Sequence, residues 1–111
     1  MKKKLKIHNS YAHFRVMALI QKKPHITQRE LAKETGISLG SVHYCLKAFV
    51  LKGWVKVRRF KDNPDKTPYL YFLTPEGALH KSKLTLDFLK RKKQEYDQIK
   101  HEIEELSKEL H

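Results

Sequence analysis

The sequence is poor in cysteine and in acidic residues, and it has no long hydrophobic run. Its single cysteine, Cys45, excludes an internal disulfide. No apolar run approaches the roughly 18 residues that a membrane-spanning helix needs. The basic start MKKKLKIH lacks the apolar stretch of an export signal. We therefore expect a cytoplasmic protein with no membrane partner.

Acidic residues are outnumbered, because 12 Asp or Glu face 24 Lys or Arg and leave a formal net charge of +12. The imbalance is uneven along the chain. Residues 1–93 hold 22 basic and 6 acidic residues, whereas residues 94–111 hold 2 and 6. A basic excess of this size favours a polyanion such as DNA, RNA or an anionic surface. At 111 residues we expect one domain with an appendage.

Patterns of catalytic and metal-binding sites are also missing. There is no glycine-rich phosphate loop and no order of Ser, His and Asp that would assemble a nucleophilic site. The seven histidines are scattered, and none has a zinc-ligand spacing to Cys45 beyond the trivial His43-x-Cys45. We predict that the protein is not an enzyme and has no cofactor and no metal.

What the sequence does contain is a pair of short helices in residues 27–53. Thr27 and Glu30 form a capping box, which predicts a helix that starts one residue after Thr27. Gly36 suits the left-handed residue that ends this helix, and Ser38 caps the next one. In the second helix one stripe must be buried, and it comprises Val42, Cys45, Leu46 and Phe49. A helix-turn-helix of DNA-binding proteins has this form, and an ordinary helical hairpin is the alternative.

The flanking segments complete a coarse secondary structure. Ser10 is expected to cap a first helix that runs to about Lys23, followed by a short extended link at His25 and Ile26. Period-two patterns predict strands over residues 54–60 and 69–73, separated by the turn-rich KDNPDKTP. A final helix of about 35 residues is expected from Pro75 to the chain end.

Three helices, a hairpin and a long helix together resemble the MarR-type winged helix-turn-helix regulators. The resemblance rests on SLGSVHYCLKAFVLKGWVKV, the wing tip NPDK and the exit LTPEG, and it covers roughly residues 12–93. More narrowly, the chain is similar to the short MarR-like regulators associated with exopolysaccharide gene clusters. The resemblance implies a mainly α fold with a small β-hairpin, and regulation of transcription, by default repression. The chain is expected to depart from the larger members at both ends, because its N-terminal part is too short for an added dimerisation helix and a single C-terminal helix remains.

We accordingly expect a basic arm (1–9), a winged helix-turn-helix domain (10–77) and a C-terminal helix (78–111) that dimerises through 89–110. The expected partner is double-stranded DNA, read in a sequence-specific manner by a homodimer. The residues expected to contact DNA start the first helix of the pair, face outward from the second or lie on the wing. They are Thr27, Gln28, Arg29, Ser38, Gly40, Ser41, His43, Tyr44, Lys47, Arg58, Arg59, Lys61 and Lys66.

The long helix carries a heptad seam that predicts a coiled coil. Glu95 at position g would meet Lys100 at e of a parallel partner, whereas an antiparallel partner would oppose glutamates at g, so a parallel pair is favoured. A single helix folding back on its own domain is the alternative. The seam residues are Leu89, Tyr96, Ile99, Ile103, Leu106 and Leu110. Upstream, we expect a bridge to the domain formed by Leu79, Leu84, Leu86, Phe88 and Leu89.

Other functions remain open at this point. A winged helix also serves as an interaction module that binds RNA or an acidic protein partner. Cys45 is a candidate redox sensor, although its place on the apolar stripe favours a buried side chain. Trp54, Tyr69 and Tyr71 are candidates for a small-molecule pocket between the wing and the long helix, although aromatic residues at strand spacing favour the core. An effector is thus possible but not indicated.

Overall fold

The computed structural model describes residues 7–59 and 69–111, with side chains described from Tyr11 onward. Within these ranges the order is α1 (Ile7–Lys22), α2 (Gln28–Thr35), α3 (Leu39–Leu51), β1 (Val55–Arg59), β2 (Tyr69–Leu73) and α4 (Pro75–Lys108). The two strands pair antiparallel as a hairpin. The predicted fold class, a mainly helical winged helix-turn-helix followed by a long C-terminal helix, is confirmed. The chain divides into two compact units, Met1–Lys81 and Ser82–His111.

The predicted caps of the helix pair are present. Thr27 Oγ1 accepts a hydrogen bond from the Glu30 N–H (3.1 Å), and Glu30 Oε1 accepts one from the Thr27 N–H (2.9 Å). Gly36 has a φ of 76°, which L residues with a side chain rarely adopt, and its N–H donates to the Ala32 carbonyl. Ser38 caps α3 by accepting from the Ser41 N–H. The turn between the two helices is therefore fixed by local chemistry.

The predicted start of α1 is wrong. The backbone is helical from Ile7, so Ser10 lies inside the helix instead of capping it. No proline or glycine precedes Ser10 to interrupt the helix. A helix that begins one turn before Ser10 also forms additional backbone hydrogen bonds, whereas a serine cap would satisfy only some of these backbone groups. The other end agrees with the prediction, because α1 ends at Lys22, shortly before Pro24.

The link after α1 is a turn, and the expected extended segment at His25 and Ile26 is not formed. The Ile26 N–H donates to the Lys23 carbonyl over 3.0 Å and closes this turn. The neighbouring Pro24 carbonyl accepts instead from the Tyr71 N–H of β2, at 2.9 Å. This backbone hydrogen bond therefore ties β2 to the segment that follows α1.

The core of the first unit lies where α1, α2, α3 and the hairpin meet. The predicted apolar stripe of α3 is buried, as is Leu31 of α2. His13 of α1 is also buried, and its Nδ1 has no hydrogen-bond partner among the described residues. Burial lowers the pKa of His13, because the charged imidazolium loses hydration. The buried apolar residues are Val16, Met17, Ile20, Ile26, Leu31, Val42, Cys45, Leu46, Phe49, Val55 and Tyr71.

The start of α4 is held tightly against the base of the hairpin. Thr74 Oγ1 accepts from the Gly77 N–H and donates to the Gly53 carbonyl. A Cβ on residue 77 would lie 2.0 Å from the Trp54 carbonyl oxygen, so the close approach requires glycine. The Trp54 indole stacks on the His80 imidazole, with ring centroids 3.8 Å apart. This stack places Trp54 at the junction with α4.

The second unit consists of the remainder of α4 and the three residues after it. Phe88 is buried and Leu84 is half-buried, whereas Leu86 and Leu89 are exposed. Leu79, in the first unit, is also exposed, and the expected bridge between the two units stays a prediction. The helical period explains the different exposures within the second unit, because Leu86 and Leu89 lie on a different side of the helix from Leu84 and Phe88.

Candidate nucleic-acid interface

The first turn of α2 presents backbone donors and a cation. The capping box occupies the Thr27 N–H and hydroxyl, so the first-turn N–H groups of Gln28 and Arg29 are left without intrahelical partners. Arg29 is exposed. Hydrogen bonds from the Thr27 backbone and side chain lower the pKa of Glu30. The turn thus has the donors of an anion-binding helix start, although the Glu30 carboxylate lies beside them.

The outer face of α3 exposes the predicted residues, but it divides them between two flanks. Gly40, Tyr44 and Lys47 lie opposite the buried stripe, and Tyr44 is 56% exposed. His43 lies on the flank that faces the hairpin, where it lines a cavity together with Lys47. Ser41 lies on the other flank. Ser41 and His43, both expected to contact DNA, therefore lie on different sides of the helix.

Ser38 and Ser41 are already engaged with one another. Ser38 Oγ accepts from the Ser41 N–H at 3.0 Å and donates to Ser41 Oγ at 2.9 Å. Ser38 is thus occupied by its capping role. Ser41 Oγ keeps its own hydroxyl proton for donation to another acceptor.

On the hairpin, the two predicted arginines lie on opposite faces. Arg59 pairs with Tyr69, and its side chain shares a face with Val57 and Tyr71. Arg58 pairs with Leu70 and points to the other face. Both arginines are exposed. The predicted wing residues Lys61 and Lys66 lie outside the described residues.

Between α3 and the hairpin runs an open apolar depression, which we call the α3–hairpin trough. It consists of two cavities, of about 320 and 410 Å³, that share Gln28, Tyr69 and Tyr71. Gln28 Nε2 donates to Tyr71 Oη over 3.2 Å within it. The first cavity is also lined by His43, Leu46, Lys47, Val50, Leu51 and Val57, and the second by Ile26, Thr27, Arg29 and Leu39.

Sequence reasoning missed this trough. Val50, Val57 and Tyr69 are each about two-fifths exposed on its surface, and neither valine was assigned a role from the sequence. A signal was available, because Val50 follows His43 by seven residues on the same helical flank. The aromatic pocket was predicted between wing and long helix, but Tyr69 and Tyr71 line the trough, and Trp54 stacks on His80 instead.

The predicted seam residues of the second unit are all exposed. Leu89, Tyr96, Ile99, Ile103 and Leu106 lie within α4, whereas Leu110 follows its end at Lys108, in a turn closed by the Ser107 carbonyl. Within residues 7–59 and 69–111, no group of three or more metal-ligating side chains is assembled. None of the helices described there is long and apolar enough to cross a membrane.

Comparison with known proteins agrees with this geometry. A family model described as winged helix-turn-helix DNA-binding matches residues 10–56. Residues 10–56 are therefore similar to winged helix-turn-helix DNA-binding domains. No curated protein matches the sequence.

Among solved structures the domain is similar to MarR regulators. Apo MarR from E. coli is 35% identical with a TM-score of 0.53, over 65% of this chain and 52% of that chain. A cysteine-to-serine mutant of E. coli MarR complexed with operator DNA is 33% identical, with a TM-score of 0.53 over 65% and 50%. FabT from Streptococcus pneumoniae in complex with DNA shares the fold at 24% identity, with a TM-score of 0.55 over 75% and 56%. The chain spans about half the length of these proteins.

Proposed function

We propose that the chain is a non-enzymatic, MarR-type transcriptional regulator that binds double-stranded DNA in a sequence-specific manner. The observation that carries this proposal is the exposed outer face of α3 beside the first turn of α2, within a domain that matches a DNA-binding family. The net charge of +12 supports a polyanionic partner. E. coli MarR, at 33% identity, is a structural neighbour solved with operator DNA.

In this proposal α3 enters the major groove. Gly40 has no side chain, so it lets the helix approach the bases closely. Ser41 and His43 hydrogen-bond to base edges from the two flanks of the helix. Tyr44 reaches a phosphate or a thymine methyl group, and Lys47 reaches a phosphate.

The neighbouring elements hold the DNA backbone. The free N–H groups at the start of α2 and the Arg29 side chain bind one phosphate strand. On the hairpin, Arg59 lies on the face that lines the trough and Arg58 on the opposite face. Together with Lys61 and Lys66, these arginines bind the adjacent minor groove or its phosphates. These contacts position the protein without reading sequence.

The regulator acts as a homodimer in the cytoplasm, and it represses its target genes, exopolysaccharide genes among them. The exposed seam of α4 pairs with that of a second copy, and charge favours a parallel pair because Glu95 then meets Lys100 of the other helix. Two copies of α3 would read a two-fold symmetric site with half-sites about one helical turn apart.

The α3–hairpin trough favours a second candidate, a winged-helix interaction module for RNA or an acidic protein partner. A protein-binding wing exposes large apolar side chains, and the trough exposes Val50, Leu51, Val57 and Tyr69. DNA remains the first candidate because the cationic residues that flank the trough match a phosphate backbone.

Binding of a selected duplex, an unrelated duplex and RNA at several salt concentrations tests the proposal by fluorescence anisotropy. Replacing Arg58 and Arg59 by Gln should weaken binding to every duplex and lower the salt slope by about 2. Replacing His43 by Ala should change the preferred DNA sequence but keep most of the salt dependence of binding. Lys22→Gln with Lys33→Gln is the charge-matched control, since both lie outside the site. Binding without salt dependence, or tighter binding to RNA, would contradict the proposal.

A further inference from the structure

The second unit exposes an apolar stripe that one charged residue interrupts. The stripe runs along α4 at heptad positions a and d, and Lys92 occupies a d position between Leu89 and Tyr96. The side chains on either side of it are exposed, and so is that of Lys92, at 58%. A single lysine at an a position of a coiled coil specifies the register of the helices at a cost in stability, and a d position such as that of Lys92 lies in the same seam. The position of Lys92 therefore bears on how a second copy would lie.

The ammonium group of Lys92 lies at the edge of the apolar stripe, beside a carboxylate. Its Nζ lies 3.5 Å from Glu95 Oε1, and Glu95 occupies position g, at the edge of the seam. The aliphatic stem of a lysine covers apolar surface while its ammonium group stays in water. The pair thus allows Lys92 to lie in a seam layer without burying its charge.

The alignment of a second helix decides how many layers contain a lysine. A parallel, in-register partner stacks each residue on its own copy, so Lys92 meets Lys92 in one layer. The helical layers at Leu89, Tyr96, Ile99, Ile103 and Leu106 stay apolar. That arrangement leaves five apolar layers and one in which two lysines face each other, and the repulsion between them is moderated because each ammonium group lies beside its own Glu95.

An antiparallel partner pairs each a position with a d position. Lys92 then faces Ile103 at both ends of the overlap, and Leu89 faces Leu106. Four apolar layers remain and two contain a lysine opposite an isoleucine. Antiparallel pairing also brings Glu95 next to Glu102, both at position g, and like charges repel.

We propose that Lys92 selects the parallel, in-register orientation of a second copy of this chain on the α4 stripe. The proposal rests on the proposed homodimer and adds the residue that sets its geometry. Parallel alignment places the two winged domains at the same end of the seam, as two neighbouring half-sites require.

The test combines an orientation probe with a dissociation constant. His111→Cys, labelled with pyrene, reports parallel pairing by excimer fluorescence. In an antiparallel pair the two labels would lie about 40 Å apart, at 1.5 Å per residue over some 27 residues. Unmodified protein treated with pyrene is the labelling control, because Cys45 is buried. Sedimentation equilibrium gives the dimer dissociation constant.

We expect the pyrene-labelled His111→Cys variant to form a dimer with strong excimer emission. Adding Lys92→Leu should lower the dissociation constant by on the order of tenfold to a hundredfold, because an apolar layer replaces a charged one. It should also reduce excimer emission per dimer. The substitution makes two lysine-containing layers of an antiparallel pair apolar but only one layer of a parallel pair, so it favours the antiparallel orientation. Lys90→Leu, at outward position b, is the matched control and should change neither quantity.

The outcomes separate the two claims. A protein that stays monomeric at all concentrations would overturn both the homodimer and the role of Lys92. A dimer with excimer emission that responds alike to Lys92→Leu and Lys90→Leu would overturn the role of Lys92 alone. A dimer without excimer emission would show an antiparallel pair and overturn the orientation, while the homodimer would stand.

Discussion

Gln28 Nε2 donates a hydrogen bond to Tyr71 Oη over 3.2 Å and thereby joins the first turn of α2 to the second strand of the hairpin. The Tyr71 backbone adds a second tie, from its N–H to the Pro24 carbonyl. These contacts lie between two proposed phosphate-binding elements, the start of α2 and the wing. They therefore fix the spacing over which the DNA backbone would be held.

Tyr71→Phe removes the hydroxyl group and keeps the buried ring. We expect a loss of about 1 kcal/mol in unfolding free energy, typical of one hydrogen bond, and weaker DNA binding because Gln28 is no longer held. Urea unfolding and anisotropy measure the two effects. Tyr96→Phe, on the exposed stripe of α4, is the control. Equal behaviour of the two variants would show that the Gln28–Tyr71 contact is unimportant.

Gly77→Ala should destabilise the first unit strongly. The new Cβ would lie 2.0 Å from the Trp54 carbonyl oxygen and 2.8 Å from its carbon, so backbone must move. We expect a loss of about 3 kcal/mol, at the upper end of overpacking effects, measured by thermal or urea unfolding. An unfolding free energy equal to that of the unmodified chain would contradict the close approach.

Gly40→Ala should separate stability from DNA binding. Its Cβ would meet only Ser38 Oγ, at 4.0 Å, and alanine is a better helix former by about 1 kcal/mol. We therefore expect equal or higher stability together with weaker binding to the preferred duplex, because α3 can no longer approach as closely. Unchanged binding affinity would remove Gly40 from the interface.

Burial of His13 should make stability depend on pH. Its folded pKa lies below the unfolded value of about 6.5, so the unfolded chain binds the proton more readily. The contribution of the neutral His13 side chain to the unfolding free energy is fully present above pH 6.5, and it is lost as the pH falls through the folded pKa. Urea midpoints at pH 7.5 and 5.5 should differ less in His13→Leu than in the exposed-histidine control His25→Gln. Equal pH dependence in both variants would contradict this role.

Cys45 should behave as a buried thiol. Burial raises its pKa to about 11, so almost no thiolate is present at neutral pH. We expect slow reaction with a disulfide reagent in the native protein and fast reaction in urea, followed by absorbance. DNA affinity should not change after mild peroxide treatment. Rapid native labelling, or peroxide-dependent loss of DNA binding, would instead support a redox sensor.

Much of the helix-turn-helix was predictable because its signals are local. The capping box of Thr27 and Glu30, the left-handed Gly36 and the Ser38 cap each depend on residues within one turn. The strand Tyr69–Leu73 was predicted with its observed limits. Ser10 failed as a cap because serine also occurs inside helices, and no breaker precedes it.

Features that depend on tertiary packing could not be predicted in the same way. The α3–hairpin trough forms because Val57 and Tyr69 of the hairpin come to lie beside Val50 of α3. The sequence places these residues on faces but not next to one another. Trp54 was expected in a pocket, yet its ring packs on His80, a contact between residues 26 positions apart.

The preferred DNA sequence, determined by in vitro selection from random duplexes with the whole chain, tests sequence-specific recognition most directly. Enrichment of a two-fold symmetric motif is expected, with half-sites about one helical turn apart and two chains bound per duplex. Selection without an enriched motif, at a salt concentration where the chain still binds DNA, would contradict it.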